Sequence, residues 1–418
     1  MIWECDMKRL LAMTTSSLLA ATAAHGAPPA QMDALGAAAV FMVQPPPAYN
    51  SWPMIQTLGG RLVCAYSRGS AHTTDEAARG VYVRVSDDGA KTWSEERRIC
   101  NSPEWGEVTV GKGQDESGAM LLWIRRQDKR GWGAGTFHDL WRTADGLAWE
   151  KIASPDLDPH PIQITDVFEV PGKGLVSLWF AGSYDKDAAD KSWGLLSSSD
   201  GGLTWTQRTV ERGLSLDEWP TEPCGLSLGG GRILGIARSE GGLPYQFQIT
   251  SEDGGETWKR EKTNISDVFG STPSLIHDAA TGRVFLYYYH RGARLLKRRV
   301  ADAAAIFGAP LAWPEPEALS RGHEERPWDA GNVNVTALGG RHFAATYTGT
   351  KTDAAVFVVA VPVPPPPHAN GGNPTENTLR TLAKMIPFVS AIGPSVVRAA
   401  PSFPMAPIPA RQARFPMT

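Results

Sequence analysis

Short runs of alternating apolar and polar residues recur along the chain, and turn residues separate them. Val81-Tyr82-Val83-Arg84-Val85 and Gln246-Phe247-Gln248-Ile249-Thr250 each place one apolar set on one face, the period-two signature of a half-buried strand. Leu140-Trp141-Arg142 and Leu195-Leu196 are shorter runs of the same kind. Each run leads into a related octapeptide or its shortened form. The copies are Ser86-Asp87-Asp88-Gly89-Ala90-Lys91-Thr92-Trp93, Ser198-Ser199-Asp200-Gly201-Gly202-Leu203-Thr204-Trp205 and Ser251-Glu252-Asp253-Gly254-Gly255-Glu256-Thr257-Trp258, with the shorter Thr143-Ala144-Asp145-Gly146-Leu147-Ala148-Trp149. Asp and Ser side chains bond nearby backbone N–H groups, Gly supplies a positive φ, and Trp returns the chain to the core. The pattern therefore predicts a hairpin turn with a structural purpose.

A second repeat lies upstream of each turn. A strand, a glycine turn and another strand appear six times, with the second strands beginning near Arg61, Met120, Leu175, Arg232, Arg283 and Arg341. Trp52, Thr109, Asp166, Glu222, Thr272 and Asn332 then fall at matching points of the first strands. Six units of roughly 55 residues, each with room for four strands, predict an all-β fold, a six-bladed β-propeller over residues 36–362. The last unit lacks a fourth strand, and Ala38–Val43 can supply it from the other end of the repeat region.

Composition sharpens this picture. The chain has 418 residues, and its 43 Gly and 15 Trp match a fold made of many turns and packed aromatics. Charges nearly balance, 41 basic against 44 acidic, which argues against a protein that coats nucleic acid. The four Cys form no CxxC or Cys/His cluster, so neither a zinc site nor a disulfide framework is expected. Lys8-Arg9 precede an apolar, small-residue run from Leu10 to Ala24, which reads as a signal peptide over residues 1–26 and predicts a secreted or periplasmic protein. No segment approaches the ~20 apolar residues of a stable membrane span. Residues 363–418 form a proline-rich tail, expected to be extended or disordered.

In a propeller the innermost strands meet at one axis, so a ligand site draws residues from several blades. The second strands end in Ser67-Arg68-Gly69, Ile124-Arg125-Arg126, Ala237-Arg238-Ser239 and His290-Arg291-Gly292, an arginine in four of six units. Like charges at an axis repel unless an anion joins them, and guanidinium binds carboxylate bidentately. A carboxylate-binding cluster is one reading, and a structural network with carbonyls and acids is the other. Trp132 and Trp219 are candidates for stacking on sugar faces, with core packing the blander assignment.

The turns, the six units and the clustered arginines resemble the sialidase (neuraminidase) superfamily with its Asp-box repeats, over about residues 40 to 361. The best local match runs from Trp219-Pro220-Thr221-Glu222 to Ile236-Ala237-Arg238. It is similar to the sialidase segment in which a glutamate polarises a tyrosine nucleophile and an arginine grips the sialic acid carboxylate. The resemblance gives those roles to Glu222 and Arg238. It makes Arg291 the second carboxylate-binding arginine, with Arg294 as competitor, and it likens Arg68 and Asp75 to a first-blade arginine and the general-acid aspartate. His72, in the same loop, is a second candidate acid, and Asp166 a further site candidate.

Two departures stand in the sequence. The family's Arg-Ile-Pro opening is replaced by Asn50-Ser51-Trp52-Pro53, and the stretch Asp329 to Asn334 holds no tyrosine. Tyr347, Tyr245 and Tyr287–Tyr289 are the alternatives for the missing phenol. The resemblance implies an exo-sialidase-like glycoside hydrolase, without cofactor or metal, acting as a monomer on an acidic glycan. A uronate-specific polysaccharide lyase and a sialoside-binding propeller without activity are the other readings.

Overall fold

The computed structural model describes residues 30–365, apart from 75–78, 129–134, 241 and 269–270. The signal segment expected over 1–26, most of the tail expected over 363–418, and Trp132 lie outside the described residues. The alternating runs form strands where their pattern places them: Gly80–Ser86, Thr136–Thr143, Lys191–Ser198 and Phe247–Ser251. Strand pairing is antiparallel throughout, except at one bridge described below.

The strands group into meanders, numbered here as blades one to six along the chain. Blades two to five are separate sheets, and blades six and one share an eight-stranded sheet. These last two meet only at a parallel bridge between Ala354 and Tyr49. The first strands of the meanders are Tyr49–Leu58, Trp105–Gln114, Gln163–Val170, Thr221–Gly229, Ser274–Asp278 and Ala330–Leu338. Each packs on the next in that order, and the sixth packs back on the first, so they form the inner ring of a β-propeller. Glycine sets the spacing at one seam: a Cβ on Gly113 would stand 1.9 Å from the Val167 carbonyl oxygen, so only a glycine lets blades two and three approach this closely.

Closure comes from the N-terminal side. Ala39–Gln44 pairs antiparallel with Ala354–Pro362, giving blade six its fourth strand from the other end of the repeat region. Blade five gains an unanticipated fifth strand, Met32–Ala34, paired with Glu317–Gly322.

The aspartate turns act as staples. In the turn at Asp200, Oδ1 accepts from the Thr204 amide at 2.9 Å and the Ser198 hydroxyl at 2.8 Å, while Oδ2 accepts from the Thr204 hydroxyl at 2.6 Å. Gly201 and Gly202 take positive φ, 73° and 95°. The Trp205 indole donates to the Gly202 carbonyl at 2.9 Å and packs 5.2 Å from the Trp123 ring of blade two. Trp258 repeats this against Trp193 of blade three, at 5.6 Å. One motif therefore closes a hairpin and glues adjacent blades.

Candidate functional site

Five of the six inner strands break register at the same place, between Ser51 and Met54, Thr109 and Gly111, Ile164 and Val167, Thr221 and Cys224, and Gly331 and Asn334. Bulges of this kind turn side chains out of the ladder. At three of them the extra residue is left-handed: Trp52 at φ 52°, Glu222 at 46° and Asn332 at 47°. Non-glycine residues hold that conformation only where surrounding structure imposes it. All three line one cavity, together with His72, Thr74, Thr109, Arg125, Gln163, Phe180 and Tyr184. The cavity lies where first strands begin and second strands end, and blades one, two, three, four and six all contribute to it.

Glu222 and Arg238 are brought together. Arg238 donates to Glu222 Oε2 at 3.2 Å, and the Thr272 hydroxyl of blade five donates to the same oxygen at 2.6 Å. Arg238 also holds Glu240 through Nε at 3.0 Å and through a second nitrogen, and the Thr221 hydroxyl donates to Glu240 at 2.7 Å. Two carboxylates therefore flank one guanidinium, and they hold its proton more tightly than usual despite the opposing effect of burial.

Arg291 reaches toward the axis. Its Nε donates to the Ala330 carbonyl at 2.8 Å, and its charge acts on Tyr49, His72 and Tyr347. No carboxylate of a described residue lies within ion-pair distance of it. Arg294, the competitor, is exposed on the turn beyond, at φ 58°. Arg68 is held elsewhere: Glu96 takes it bidentately, Asn50 accepts from its Nε at 2.9 Å, and its guanidinium lies over the Tyr82 ring. Asp166 sits beside Lys112 and Asn334 and does not line the cavity. Burial raises its carboxyl above the usual range, against the pull of Lys112. Asp75 lies outside the described residues.

His72 packs between Trp52 and Tyr49, with ring centroids 5.2 and 5.8 Å away. Burial, followed by the charges of Arg291, Arg79 and Arg326, lowers its pKa to about 3, so the imidazole is neutral at ordinary pH. Its Nδ1 lies 3.0 Å from the Tyr49 hydroxyl, which lies 3.0 Å from Asp329 Oδ1.

The tyrosine alternatives separate cleanly. Tyr287, Tyr288 and Tyr289 are wholly buried in blade five, bonded to His342, Asp267 and Glu324. Tyr245 packs on Phe247 and Lys262. Tyr347 stands at the axis, 6.1 Å from the Tyr49 ring and 6.3 Å from Trp52, and burial pushes its phenol up to about 12. Its hydroxyl donates to the Trp328 carbonyl at 3.3 Å, while the bonds of Glu222 Oε2 go to Arg238 and Thr272. Trp219 is fully buried, with its indole donating to the Ser192 carbonyl, which makes it a packing residue.

Sequence reasoning missed Arg79, Tyr49 and Asp329. Arg79 is fully buried, 4.9 Å over the Trp52 ring, and donates to the Ala71 carbonyl. It follows a loop rather than closing a second strand, so the arginine recurrence did not include it. Arg125 did appear in that recurrence, and it lines the cavity with its Nη1 on the Ile162 carbonyl at 3.1 Å; burial lowers its pKa to about 10. Among the described residues no group of three His, Cys, Asp or Glu could hold a metal ion, and no helix is long and apolar enough to cross a membrane.

The family described as BNR repeat-like domain matches residues 60–301, more than half of the chain. No curated protein matches. Among solved structures, a protein of unknown function from Dyadobacter fermentans superposes with a TM-score of 0.61 at 17% identity, covering 79% of this chain and 100% of its own. The NanB sialidase of Streptococcus pneumoniae gives 0.56 at 12%, over 76% of this chain and 68% of that one. The Trypanosoma rangeli sialidase gives 0.56 at 14%, over 78% of this chain and 60% of that one. At such identities the likeness speaks for the fold. The chain belongs to the BNR repeat-like domain family and folds as a β-propeller of the sialidase type.

Proposed function

We propose that the protein is an exported glycoside hydrolase of sialidase type that releases a terminal acidic sugar. The observation that carries this reading is Arg291, which has no carboxylate of a described residue in reach and whose charge, like that of Arg79, acts on the cavity-lining His72, with Arg125 and Glu222 on the cavity wall. A sugar carboxylate would supply the anion that Arg291 lacks among the described residues, in bidentate form. Cleavage then builds positive charge at the anomeric carbon, and the Glu222 carboxylate stabilises it. Asp75 is assigned to protonate the leaving oxygen. Tyr347 sits on the strand that pairs with Gly331, near the place of the missing family tyrosine, but its bonds do not run to Glu222.

A second reading has its own observation. A neutral imidazole between phenols and guanidiniums also suits proton abstraction beside a uronate carboxylate, the first step of β-elimination. One experiment separates the readings: incubation with a panel of sialosides, related nonulosonic acid glycosides and uronic acid polymers, with free sugar and absorbance at about 232–235 nm followed together. Free sugar without absorbance supports the hydrolase. Absorbance supports the lyase. Binding without either product overturns both and leaves a lectin-like propeller.

A further inference from the structure

A hydrogen-bonded chain that the family resemblance does not account for ends on the cavity-lining His72. It runs from Arg326 through Asp329 and Tyr49 to His72, and it links blade six to the loop after the second strand of blade one. Arg326 donates to Asp329 Oδ2 at 2.5 Å and to Oδ1 at 2.7 Å. Asp329 is fully buried, and the bidentate pair with Arg326 engages both of its oxygens as acceptors. The Tyr49 hydroxyl has one proton and two neighbours at 3.0 Å, Asp329 Oδ1 and His72 Nδ1. The phenol donates that proton in a hydrogen bond to the carboxylate. The phenol oxygen must then accept from His72, which fixes the proton of the imidazole on Nδ1. Nε2 is left with its lone pair and without a hydrogen bond to a described residue, and His72 lines the cavity.

We propose that Asp329 and Tyr49 are positioning residues that hold His72 with Nδ1 protonated and Nε2 aimed at substrate, so that Nε2 is the general base of this site. The assignment rests on the hydrolase reading for its chemistry, though not for its geometry. In the step, a water oxygen bonds to the anomeric carbon and its proton passes to Nε2. The glycosidic C–O bond breaks, and its electron pair goes to the leaving oxygen, which is protonated by a carboxylic acid. An aryloxide leaving group departs without that proton.

The charges around the imidazole act on its basicity. Arg79 from its own loop, Arg291 from blade five and Arg326 from blade six all oppose its protonation, while Tyr49 and Tyr347 are neutral and Asp329 is spent on Arg326. A substrate carboxylate set among these guanidiniums cancels part of their repulsion. His72 therefore becomes a stronger base when an anionic sugar is bound.

The test is nitrogen NMR of the full chain with labelled histidine, the His72 signal being identified by its loss in His72→Gln. We expect a neutral ring with Nδ1 protonated at pH 7. Tyr49→Phe, which removes only the hydroxyl, should shift the ring toward the other tautomer, and Asp329→Asn should do the same. N-acetylneuraminic acid at millimolar concentration should move the His72 titration upward by at least one pH unit. An unprotonated Nδ1 in the parent protein, or an unchanged tautomer in a folded Tyr49→Phe variant, overturns the proposal. With an aryl sialoside, Tyr49→Phe should lower kcat on the order of tenfold and move the acidic limb of the pH profile, with KM little changed. A fall that is uniform across pH would make Tyr49 merely structural and also overturn the assignment. If no acidic glycoside is cleaved, the hydrolase reading fails alone, and the tautomer still decides the relay.

Discussion

The Thr272 hydroxyl of blade five donates a 2.6 Å hydrogen bond to Glu222 Oε2 of blade four, on the same oxygen that Arg238 approaches at 3.2 Å. The left-handed bulge at Glu222 sets this up, because it lifts the carboxylate out of the sheet ladder and turns it toward the next blade. Glu222→Gln keeps the shape but removes the charge that answers an oxocarbenium-like centre. It should lower kcat by roughly 10²–10⁴-fold while KM stays within a few-fold. Steady-state kinetics on a cleaved acidic glycoside checks this, and an unchanged kcat would remove Glu222 from the chemistry.

The aspartate turns predict a pH dependence of stability. Bonds from Thr92, Thr204 and Thr257 hold Asp88, Asp200 and Asp253 down to about 2, below the usual 3.8. A carboxylate depressed in the folded state contributes stability above its unfolded pKa and loses it as pH falls through the folded one. Asp200→Ala should therefore lower Tm by about 2–4 °C at pH 7. The gap should close between pH 4 and pH 2. A gap that stays constant across that range would mean the loss has another cause than the charged turn.

Close approach at the seam of blades two and three gives a prediction of opposite character. A Cβ on Gly113 would meet the Val167 carbonyl oxygen at 1.9 Å, and one on Gly111 would meet the Thr165 backbone at 2.4 Å. These are rigid inner-strand atoms, so the blades must part to admit a methyl group. Gly113→Ala should cost about 3 kcal/mol, the upper end of ordinary overpacking, in chemical denaturation. A midpoint matching the parent protein would show that the inner ring yields more easily than its contacts imply.

The repeats were legible because each blade must solve the same local problem. Asp200, Gly201 and Trp205 make their contacts within one turn or with the adjoining blade, so their order in the chain carries the message. Glu222 and Arg238 were legible for a related reason, as they sit on paired strands sixteen positions apart. The relay was not. Tyr49 and Asp329 lie 280 positions apart, and only closure of the ring brings them together. Arg68 shows the converse limit: its place at a strand end suggested the axis, but Glu96 of its own blade claims it, a partner that no spacing rule pointed to.

Arg68 and Arg291 therefore form a matched pair for testing which guanidinium meets substrate. Arg291 donates through Nε to the Ala330 carbonyl and has no carboxylate partner among the described residues. Removing a guanidinium that grips a carboxylate in a desolvated site costs about 2–5 kcal/mol. Arg291→Ala should thus lose at least about 30-fold in kcat/KM on an acidic glycoside, the lower end of that range. Arg291→Lys keeps the charge without the planar fork and should fall between parent and alanine variant. Arg68 spends its fork on Glu96, so Arg68→Ala should hold kcat/KM within about threefold while lowering Tm by a few degrees. Loss of activity in Arg68→Ala with an unperturbed melt, beside a fully active Arg291→Ala, would exchange the two assignments.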